Sequence, residues 1–267
     1  MNTPKINYDD YYLRFGGIAR LYGLKKLEIF LNSHILVVGL GGIGSYAIEA
    51  LARSGIGNIT IVDLDDICIT NTNRQIHAIN SNLGKSKSTA TKNRILEINP
   101  QCNVIEINDF FTEKNCTKIF SNQYDFVIDA IDSLQSKCVL ANYCHKNQIP
   151  IIVTGGAAGK KDLSLIKLED LGLVCNDSLI FNMRKRLRQE FEFQSGEHFT
   201  RSKKQFFNIP CVYSDENPVY PTNNGEICQT PTDSKKVALD CREGMGSAMH
   251  ITATFGFKCV EYVLGKL

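Results

Sequence analysis

The sequence lacks the net charge that marks many nucleic-acid-binding proteins: its basic residues exceed its acidic residues by only two, for a formal charge of +2. Only a local cluster of cations could therefore bind a polyanion. None of its ten cysteines forms a C-x-x-C pair, which argues against a zinc site. Residues 1–10 lack the basic start and apolar core of a signal peptide. We therefore expect reduced thiols in a cytoplasmic protein.

The sequence also lacks an uninterrupted apolar run long enough to span a membrane. Its most apolar late stretch, residues 249–264, contains His250, Lys258 and Glu261, so we expect a packed helix and no stable membrane insertion. Neither an internal repeat nor a low-complexity tract is visible. With 267 residues, 43% of them hydrophobic, the chain is long enough to bury a large core. We predict one domain over 1–267, with a nucleotide-binding core at 30–160 and an elaborated C-terminal portion at 161–267.

The chain is organised around ILVVGLGGIGS at residues 35–45. Its apolar start predicts a buried strand, and a helical pattern follows the glycines. Gly39, Gly41 and Gly44 have the G-x-G-x-x-G spacing of a nucleotide-binding turn, in which glycine lets the backbone approach a phosphate at the start of a helix. Asp63 ends the next predicted strand, about twenty residues later, where ribose hydroxyls are usually bound. A strand-to-helix turn without a ligand is the weaker alternative.

Strand-like and helix-like patterns alternate from residue 35 to residue 154. This alternation predicts an α/β fold with a Rossmann-like, mainly parallel sheet flanked by helices. Two short helices, broken by glycines, are expected before it in residues 11–32. Residues 214–236, rich in small polar residues and proline, predict a long loop. The expected strands are 35–38, 59–62, 103–107, 124–133 and 151–154, and the expected helices are 45–54, 88–97, 112–122, 134–147, 182–193 and 249–264.

A polar run follows the second strand, where a dehydrogenase would typically enter another helix. It contains Asn73 and Arg74, and Lys87 follows near the start of the next predicted helix. Two cations beside a glycine turn suit a triphosphate better than a pyrophosphate that the glycines already hold. Considered alone, each cation could equally be a surface charge.

Two carboxylates end the predicted strand 124–133. Asp129 and Asp132 lie at the carboxyl edge of the predicted sheet, where ligands of α/β proteins bind. They could be a helix cap and a satisfied polar residue. With a triphosphate nearby, however, a carboxylate at this edge is a natural Mg²⁺ ligand. We favour Asp132 as that ligand because it lies further past the strand.

The C-terminal portion contains one dense cluster of cations. Arg184, Lys185, Arg186 and Arg188 place four positive charges within five residues of a predicted helix. Such a run is most often a solvated face, but it could contact about as many phosphates of a nucleic acid. Cys241, beside a glycine-rich turn, is the best candidate for a reactive thiol, although a buried structural thiol is the more common case.

Several of these segments carry a family likeness. GLGGIGS at 39–45, VDLDD at 62–66, TNTNRQ at 70–75, GKSK at 84–87 and VIDAIDS at 127–133 resemble the ATP-binding core of the E1-like, ThiF/MoeB-type adenylating enzymes. The resemblance implies ATP and Mg²⁺ as cofactors and Arg74, Lys87 and Asp132 as catalytic residues, with Asp132 at the metal. The implied nucleotide-binding residues are Gly39, Gly41, Gly42, Gly44, Asp63, Asp65, Asn73, Arg74, Lys87, Asp132 and Ser133.

The flanking motifs narrow the resemblance. RFGGIARLYG at 14–23, VYSDE at 212–216 and TATFGF at 252–257 are similar to those of the bacterial branch that dehydrates N6-threonylcarbamoyladenosine at position 37 of tRNA. This branch implies an acyl-adenylate, release of AMP and pyrophosphate, a cyclic product, and tRNA contacts by the cationic cluster. It also implies a cytoplasmic homodimer, in which Arg14 or Arg20 could complete the neighbour's site. A cysteine desulfurase or sulfur-acceptor partner, and contact of the last helix with the inner membrane, stay open.

The residues leave three alternatives. Other branches of the family adenylate the C-terminus of a ubiquitin-like or sulfur-carrier protein, but they often carry the C-x-x-C zinc clamp that this sequence lacks. An NAD-dependent oxidoreductase would explain the glycines and leave the cations and the strand-end acids without a role. A non-catalytic RNA-binding module would use ATP only as a structural ligand.

Overall fold

A computed structural model describes residues 7–193, 206–222, 224–230 and 245–267. Its centre is a seven-stranded sheet. The strands are β1 His34–Val38, β2 Asn58–Val62, β3 Asn103–Ile107, β4 Phe126–Asp129, β5 Ile151–Thr154, β6 Ile166–Asp170 and β7 Pro210–Ser214. They lie in the order β3-β2-β1-β4-β5-β7-β6, and only the β6–β7 pair is antiparallel. The predicted mainly parallel α/β sheet is therefore confirmed. A small antiparallel ribbon, β8 Tyr220–Pro221 and β9 Ile227–Cys228, lies outside it.

Helices flank the sheet. They are α1 Tyr8–Tyr22, α2 Leu24–Asn32, α3 Gly42–Arg53, α4 Lys87–Ile98, α5 Cys116–Ile119, α6 Leu134–Lys146, α7 Ser178–Glu190 and α8 Met249–Lys266. In the described parts of the chain, no helix combines the length and the apolar character needed to cross a membrane. The nine cysteines in those parts are free thiols, in agreement with the expected reduced state.

Each face of the sheet buries its own core. Successive side chains of a strand point to opposite faces, so Ile35 and Val37 of β1 pack in one layer with α3 and α8. Leu36 and Val38 pack in the other layer with α6 and α7. All four side chains are at most 2% exposed. Burial on both faces explains why β1 reads as a continuous apolar run, as is typical of parallel sheets.

Two helix boundaries differ from the prediction near the N-terminus. α1 continues through Gly16 and Gly17, and the break falls at Gly23, whose φ of +90° separates α1 from α2. α3 begins at Gly42 and not at Ser45, because the glycine motif itself builds the first turn of the helix. The phosphate-facing end of α3 therefore lies inside the motif.

Two further helices were misplaced. The predicted helix 112–122 is reduced to the single turn of α5, because the side chain of Asn115 accepts a hydrogen bond from Thr112 N at 2.9 Å and forms a turn there. α7 begins at Ser178, four residues before the predicted start at 182, because Asp177 caps it by accepting from Ile180 N at 2.9 Å.

Strands β6 and β7 were not predicted at all. β6 is an edge strand whose Lys167, Leu168 and Glu169 are exposed, so it lacks the apolar run of a central strand. The predicted loop over 214–236 also contains the ribbon β8–β9. β6 and β7 continue the sheet beyond residue 160, where the composition changes.

Candidate functional site

The site lies at the carboxyl edge of the sheet, where the chain direction reverses. From β1 the chain moves outward to β2 and β3 and then returns to β4 on the other side of β1. Val38 and Asp129 pair in register, so β1 and β4 end at the same level. Crevices at such a reversal are where open α/β sheets bind ligands.

The glycines of the turn do not all serve the same purpose. Gly39 has a φ of +90°, and a Cβ there would lie 2.7 Å from Ala130 O; a Cβ on Gly44 would lie 1.8 Å from Gly39 O. A Cβ on Gly42 would lie 2.9 Å from Thr252 Cγ2. These three glycines are required by packing of the chain against itself.

Gly41 is different. A Cβ on Gly41 would approach only Gln75 Nε2, at 4.0 Å. Packing within the described residues therefore does not require glycine at this position. Gly41 is the N-cap of α3 and has no side chain to accept from the first turn. The free N–H groups of that turn, together with the positive end of the helix dipole, form a cradle that fits a phosphate.

Asp63 borders the same turn. Its Oδ2 accepts from Leu40 N at 2.6 Å and its Oδ1 from Asp65 N at 2.8 Å. Burial raises the pKa of Asp63, while the charge of Lys87 and the two backbone N–H groups oppose that shift. The carboxylate thus fixes the loop after β2 onto the glycine turn, and each oxygen keeps a second lone pair for a ribose hydroxyl.

Lys87, the first residue of α4, is tied to the loop after β2. Its Nζ lies 2.7 Å from Asp65 Oδ2, and its backbone N donates to Asp65 O at 2.9 Å. The Lys87 side chain is only 7% exposed. A buried ammonium held in one place is suited to bind a phosphate oxygen.

Asn73 and Arg74 lie in the segment between β2 and α4. Arg74 Nη1 donates to Thr70 O at 2.8 Å and to Asn73 Oδ1 at 3.0 Å. Asn73 Nδ2 donates to Ser247 O at 2.7 Å. The structure thus brings Asn73 and Arg74 together, and ties both to the segment that leads into α8.

The two acids after β4 have different surroundings. Asp129 is fully buried, 3.1 Å from Lys137 Nζ, and accepts from Ile131 N at 3.0 Å. Asp129 is therefore a polar residue with partners inside the chain, one of the two alternatives that the sequence left open for these acids. Its bond to Ile131 N holds the loop after β4. Asp132 and Ser133 are exposed, and Ser133 is the N-cap of α6 without a side-chain capping bond. No side-chain hydrogen bond or ion pair joins Asp132 to another predicted site residue within the described parts of the chain.

Three of the four cations on α7 have partners within the chain. Arg184 Nη1 donates to Leu171 O at 3.1 Å and to Val174 O at 2.6 Å. Arg186 pairs with Glu190 at 2.7 Å, and Arg188 lies over the Phe207 ring at 5.0 Å. Lys185 is exposed, and it has no hydrogen bond or ion pair to the described residues. Cys241 lies outside the described residues.

Sequence reasoning missed two groups near the site. Lys137, buried in the ion pair with Asp129, gave no signal because a lysine on a predicted helix is ordinarily exposed. Gln75 and His77 follow Arg74 in the NRQIH segment, and only their burial singles them out: they are 6% and 2% exposed.

Comparison with known proteins shows the family of this chain. Residues 16–253 match the ThiF family, and the chain belongs to that family, as the motifs predicted. It is 45% identical over 260 residues to the tRNA threonylcarbamoyladenosine dehydratase of Escherichia coli (strain K12), covering 97% of this chain and 95% of that enzyme. Two solved structures of E. coli tRNA N6-threonylcarbamoyladenosine dehydratase, TcdA, in complex with ATP and with AMP, match with TM-scores of 0.84 and 0.83. Each is 43% identical and covers 97% of this chain and 95% of its own.

Proposed function

We propose that this chain catalyses the ATP-dependent dehydration of N6-threonylcarbamoyladenosine at position 37 of tRNA, closing the threonyl carboxylate into a cyclic form. The observation that carries the proposal is the glycine cradle at the β1–β4 crevice, in a chain that is similar over nearly its whole length to a dehydratase solved with ATP and with AMP. The charged residues around that cradle account for the first step, the activation of the carboxylate.

The first step activates a carboxylate. A carboxylate is a poor electrophile, because expulsion of oxide from it is prohibitive at neutral pH. Its oxygen attacks the α-phosphorus of ATP, the bond to the bridging oxygen breaks, and pyrophosphate leaves as an acyl-adenylate forms. Arg74 and Lys87 bind the phosphates and offset the charge on the departing pyrophosphate.

Asp132 is the proposed protein ligand of Mg²⁺. The described residues contain no group of three His, Cys, Asp or Glu side chains placed to hold a metal, so the ion would need ligands from the nucleotide. One exposed carboxylate with phosphate oxygens and waters is the donor set that Mg²⁺ prefers. When bound, Mg²⁺ would offset negative charge on the phosphates.

The second step closes the ring. The urea nitrogen of the same side chain attacks the activated carbonyl, AMP leaves with the acyl oxygen, and the nitrogen loses its proton. Because nucleophile and carbonyl are tethered, the site needs only to orient them and exclude water. A catalytic cysteine is not required, and the mechanism assigns no role to Cys241.

α7 is the proposed contact for the tRNA. The helix begins at the carboxyl edge, where its N-cap Asp177 accepts from Gly156 N at 2.9 Å, and the four cations follow further along the helix. Of the four predicted cations, Lys185 is the exposed one without a described partner, and Arg186 has only the i, i+4 pair with Glu190. Both are available to phosphates, whereas Arg184 supports the backbone of residues 171–174.

A homodimer is the proposed assembly. α1 and α2 leave Leu13, Leu21 and Leu24 at 84%, 74% and 61% exposed, which is a costly surface for a monomer in water. Arg14 pairs with Asp10 at 2.9 Å, so Arg20, exposed on the same helix, is the better candidate to reach a neighbour's phosphates. Light scattering that gives the mass of a single chain would contradict the dimer.

Nucleoside mass spectrometry tests the proposed reaction. tRNA carrying N6-threonylcarbamoyladenosine, incubated with the protein, ATP and Mg²⁺, is expected to yield an adenosine lighter by one water, with AMP formed in equal amount. Omission of ATP is the control. If the nucleoside keeps its mass while pyrophosphate exchanges into ATP only when a carrier protein is added, the chain adenylates a carrier protein. NAD binding without ATP binding would indicate an oxidoreductase.

A further inference from the structure

A buried pair of polar side chains lies beside the phosphate cradle and has no part in the mechanism above. Gln75 is 6% exposed and His77 is 2% exposed. Gln75 Oε1 lies 3.0 Å from His77 Nε2. The other end of the Gln75 amide, Nε2, lies 4.0 Å from the position that a Cβ on Gly41 would take.

The structure places the amide oxygen of Gln75 against His77 and the amide nitrogen toward the Gly41 turn. An amide oxygen only accepts, so the ring proton of His77 lies on Nε2 and is donated to Gln75 Oε1. The amide NH₂ of Gln75 then faces the Gly41 turn. It donates to no acceptor within the described residues, and it is not among their fully buried unpaired polar atoms, so a ligand can reach it. An amide NH₂ that faces the phosphate cradle and has no acceptor in the described chain can donate to a bound phosphate.

The His77 ring makes one hydrogen bond to the described residues, the contact with Gln75. Its Nδ1 is buried and has no hydrogen-bond partner in the described parts of the chain. Burial, with the nearby charges of Lys87 and Arg94, lowers the pKa of His77 to about 4. A neutral ring with its proton on Nε2 keeps the Gln75 oxygen turned away from the cradle at the pH of the cytoplasm.

We infer that Gln75 is a phosphate-binding residue of the nucleotide site and that His77 is its positioning residue. The inference rests on the proposed binding of ATP at the Gly41 turn and adds a neutral donor to the cations already assigned. If the amide were reversed, its oxygen would face the phosphates and repel them. His77 therefore acts on affinity for ATP through Gln75 and touches no reacting atom.

The ATP affinity of the full chain tests whether Gln75 binds phosphate. It is measured by calorimetry without tRNA. Gln75→Glu keeps the shape of the side chain and replaces a donor with a carboxylate, so we expect at least a tenfold weaker ATP affinity, the scale of one hydrogen bond to a charged group. Gln123→Glu, the same change in an exposed residue at the amino edge of the sheet, is the matched control and should bind ATP normally. Equal affinity in Gln75→Glu and the parent chain would overturn the assignment.

A double-mutant cycle tests whether His77 acts on ATP affinity through Gln75. His77→Phe is expected to weaken ATP binding several-fold in the parent chain and to have no further effect when Gln75 is already alanine. A purely structural role of His77 would weaken binding equally in both backgrounds, and that result would overturn the positioning role. His77→Gln, which keeps a donor, should retain most of the affinity and serves if the phenylalanine variant is unstable. A parent chain that binds no ATP would instead overturn the proposed function itself.

Discussion

Lys87 Nζ lies 2.7 Å from Asp65 Oδ2, so the cation assigned to the phosphates already has a partner in the chain. The two side chains differ in exposure: Lys87 is 7% exposed and Asp65 is 51% exposed. Without Lys87, water can therefore solvate the carboxylate of Asp65. Loss of this lysine should affect catalysis much more than stability.

We predict that Lys87→Met lowers AMP formation by roughly 100-fold, since one cation on the leaving pyrophosphate is lost. The free energy of unfolding should change by less than about 1 kcal/mol, because the pair is half solvated and the methionine fills the space of the lysine stem. Single-turnover kinetics and urea unfolding measure the two effects. Lys167→Met removes the lysine of a comparable pair, 2.6 Å from Asp215, and should leave AMP formation unchanged.

The glycine turn predicts opposite outcomes for two substitutions three residues apart. Gly41→Ala should fold normally and lose at least tenfold in ATP affinity, because its Cβ would enter the phosphate cradle while lying no closer than 4.0 Å to the described chain. Gly44→Ala should be destabilised by more than about 3 kcal/mol, since its Cβ would lie 1.8 Å from Gly39 O. Thermal unfolding separates the two variants. A Gly41→Ala chain that binds ATP as tightly as the parent would place the phosphates elsewhere.

The sequence was most informative where one local pattern decides the structure. The apolar run of β1, the glycine turn and Asp63 were predicted because burial on both faces, tight turns and strand ends each have a strong local signature. β6 was missed because an edge strand with Lys167 and Glu169 exposed shows no apolar alternation of its own. Its place is decided by pairing with β7, which lies about forty residues later in the chain.

The candidate site also contains residues that the sequence predicted and contacts that only the structure shows. Arg74, Lys87 and Asp132 were predicted from residue type, from position along the chain and from the family resemblance, and they stay predictions. Asp132 was preferred to Asp129 from its position past the strand, whereas the buried Lys137 opposite Asp129 is a tertiary contact that sequence spacing does not reveal. The cations of α7 looked alike in the sequence, but their acceptors distinguish them: backbone carbonyls for Arg184 and Glu190 for Arg186.

Substitution of Arg74 or Asp132 should lower the rate of AMP release and leave tRNA affinity nearly unchanged. Arg74→Ala and Asp132→Ala are each expected to lower AMP release by roughly 100-fold, because each removes a charge that the leaving pyrophosphate or its metal needs. tRNA affinity should change by less than about threefold, since both residues are assigned to the nucleotide and its metal and the tRNA contacts are assigned to α7. Arg53→Ala, in a helix surface pair with Glu49 at 2.7 Å, is the control for loss of an arginine. Normal AMP production in either variant would remove that residue from the mechanism.

The α7 surface predicts a distinct response to salt. Lys185→Ala should weaken tRNA binding and lower the slope of log affinity against log salt by about 0.7 to 0.9, the change expected for one phosphate contact. Neutralising all four predicted cations should flatten the slope further. Arg184→Ala should mainly lower stability, by about 1 kcal/mol, because two backbone carbonyls lose their donor. If the slope in Lys185→Ala equals that of the parent, α7 is an ordinary solvated face.

The lowered pKa of His77 is expected to make the stability of the chain depend on pH. Burial, with Lys87 and Arg94 nearby, lowers the pKa of His77 in the folded chain to about 4, from 6.5 in the unfolded chain. Between these values the unfolded chain binds the extra proton, so the free energy of unfolding falls as the pH drops from 6.5 towards 4 and is flat above 7. From pH 7 to pH 5 the contribution of His77 is about 2 kcal/mol.

Urea unfolding at pH 7 and pH 5 measures this contribution. His77→Gln removes the titrating group, so the difference between the two pH values should be smaller than in the parent chain by that amount. Other groups titrate equally in both chains and cancel in the comparison. An identical pH dependence in the two chains would mean that His77 takes up a proton as readily in the folded chain as in the unfolded one. A doubly protonated ring still donates from Nε2 to Gln75 Oε1, so the amide would keep its orientation, and protonation of His77 would then cost the folded chain no stability.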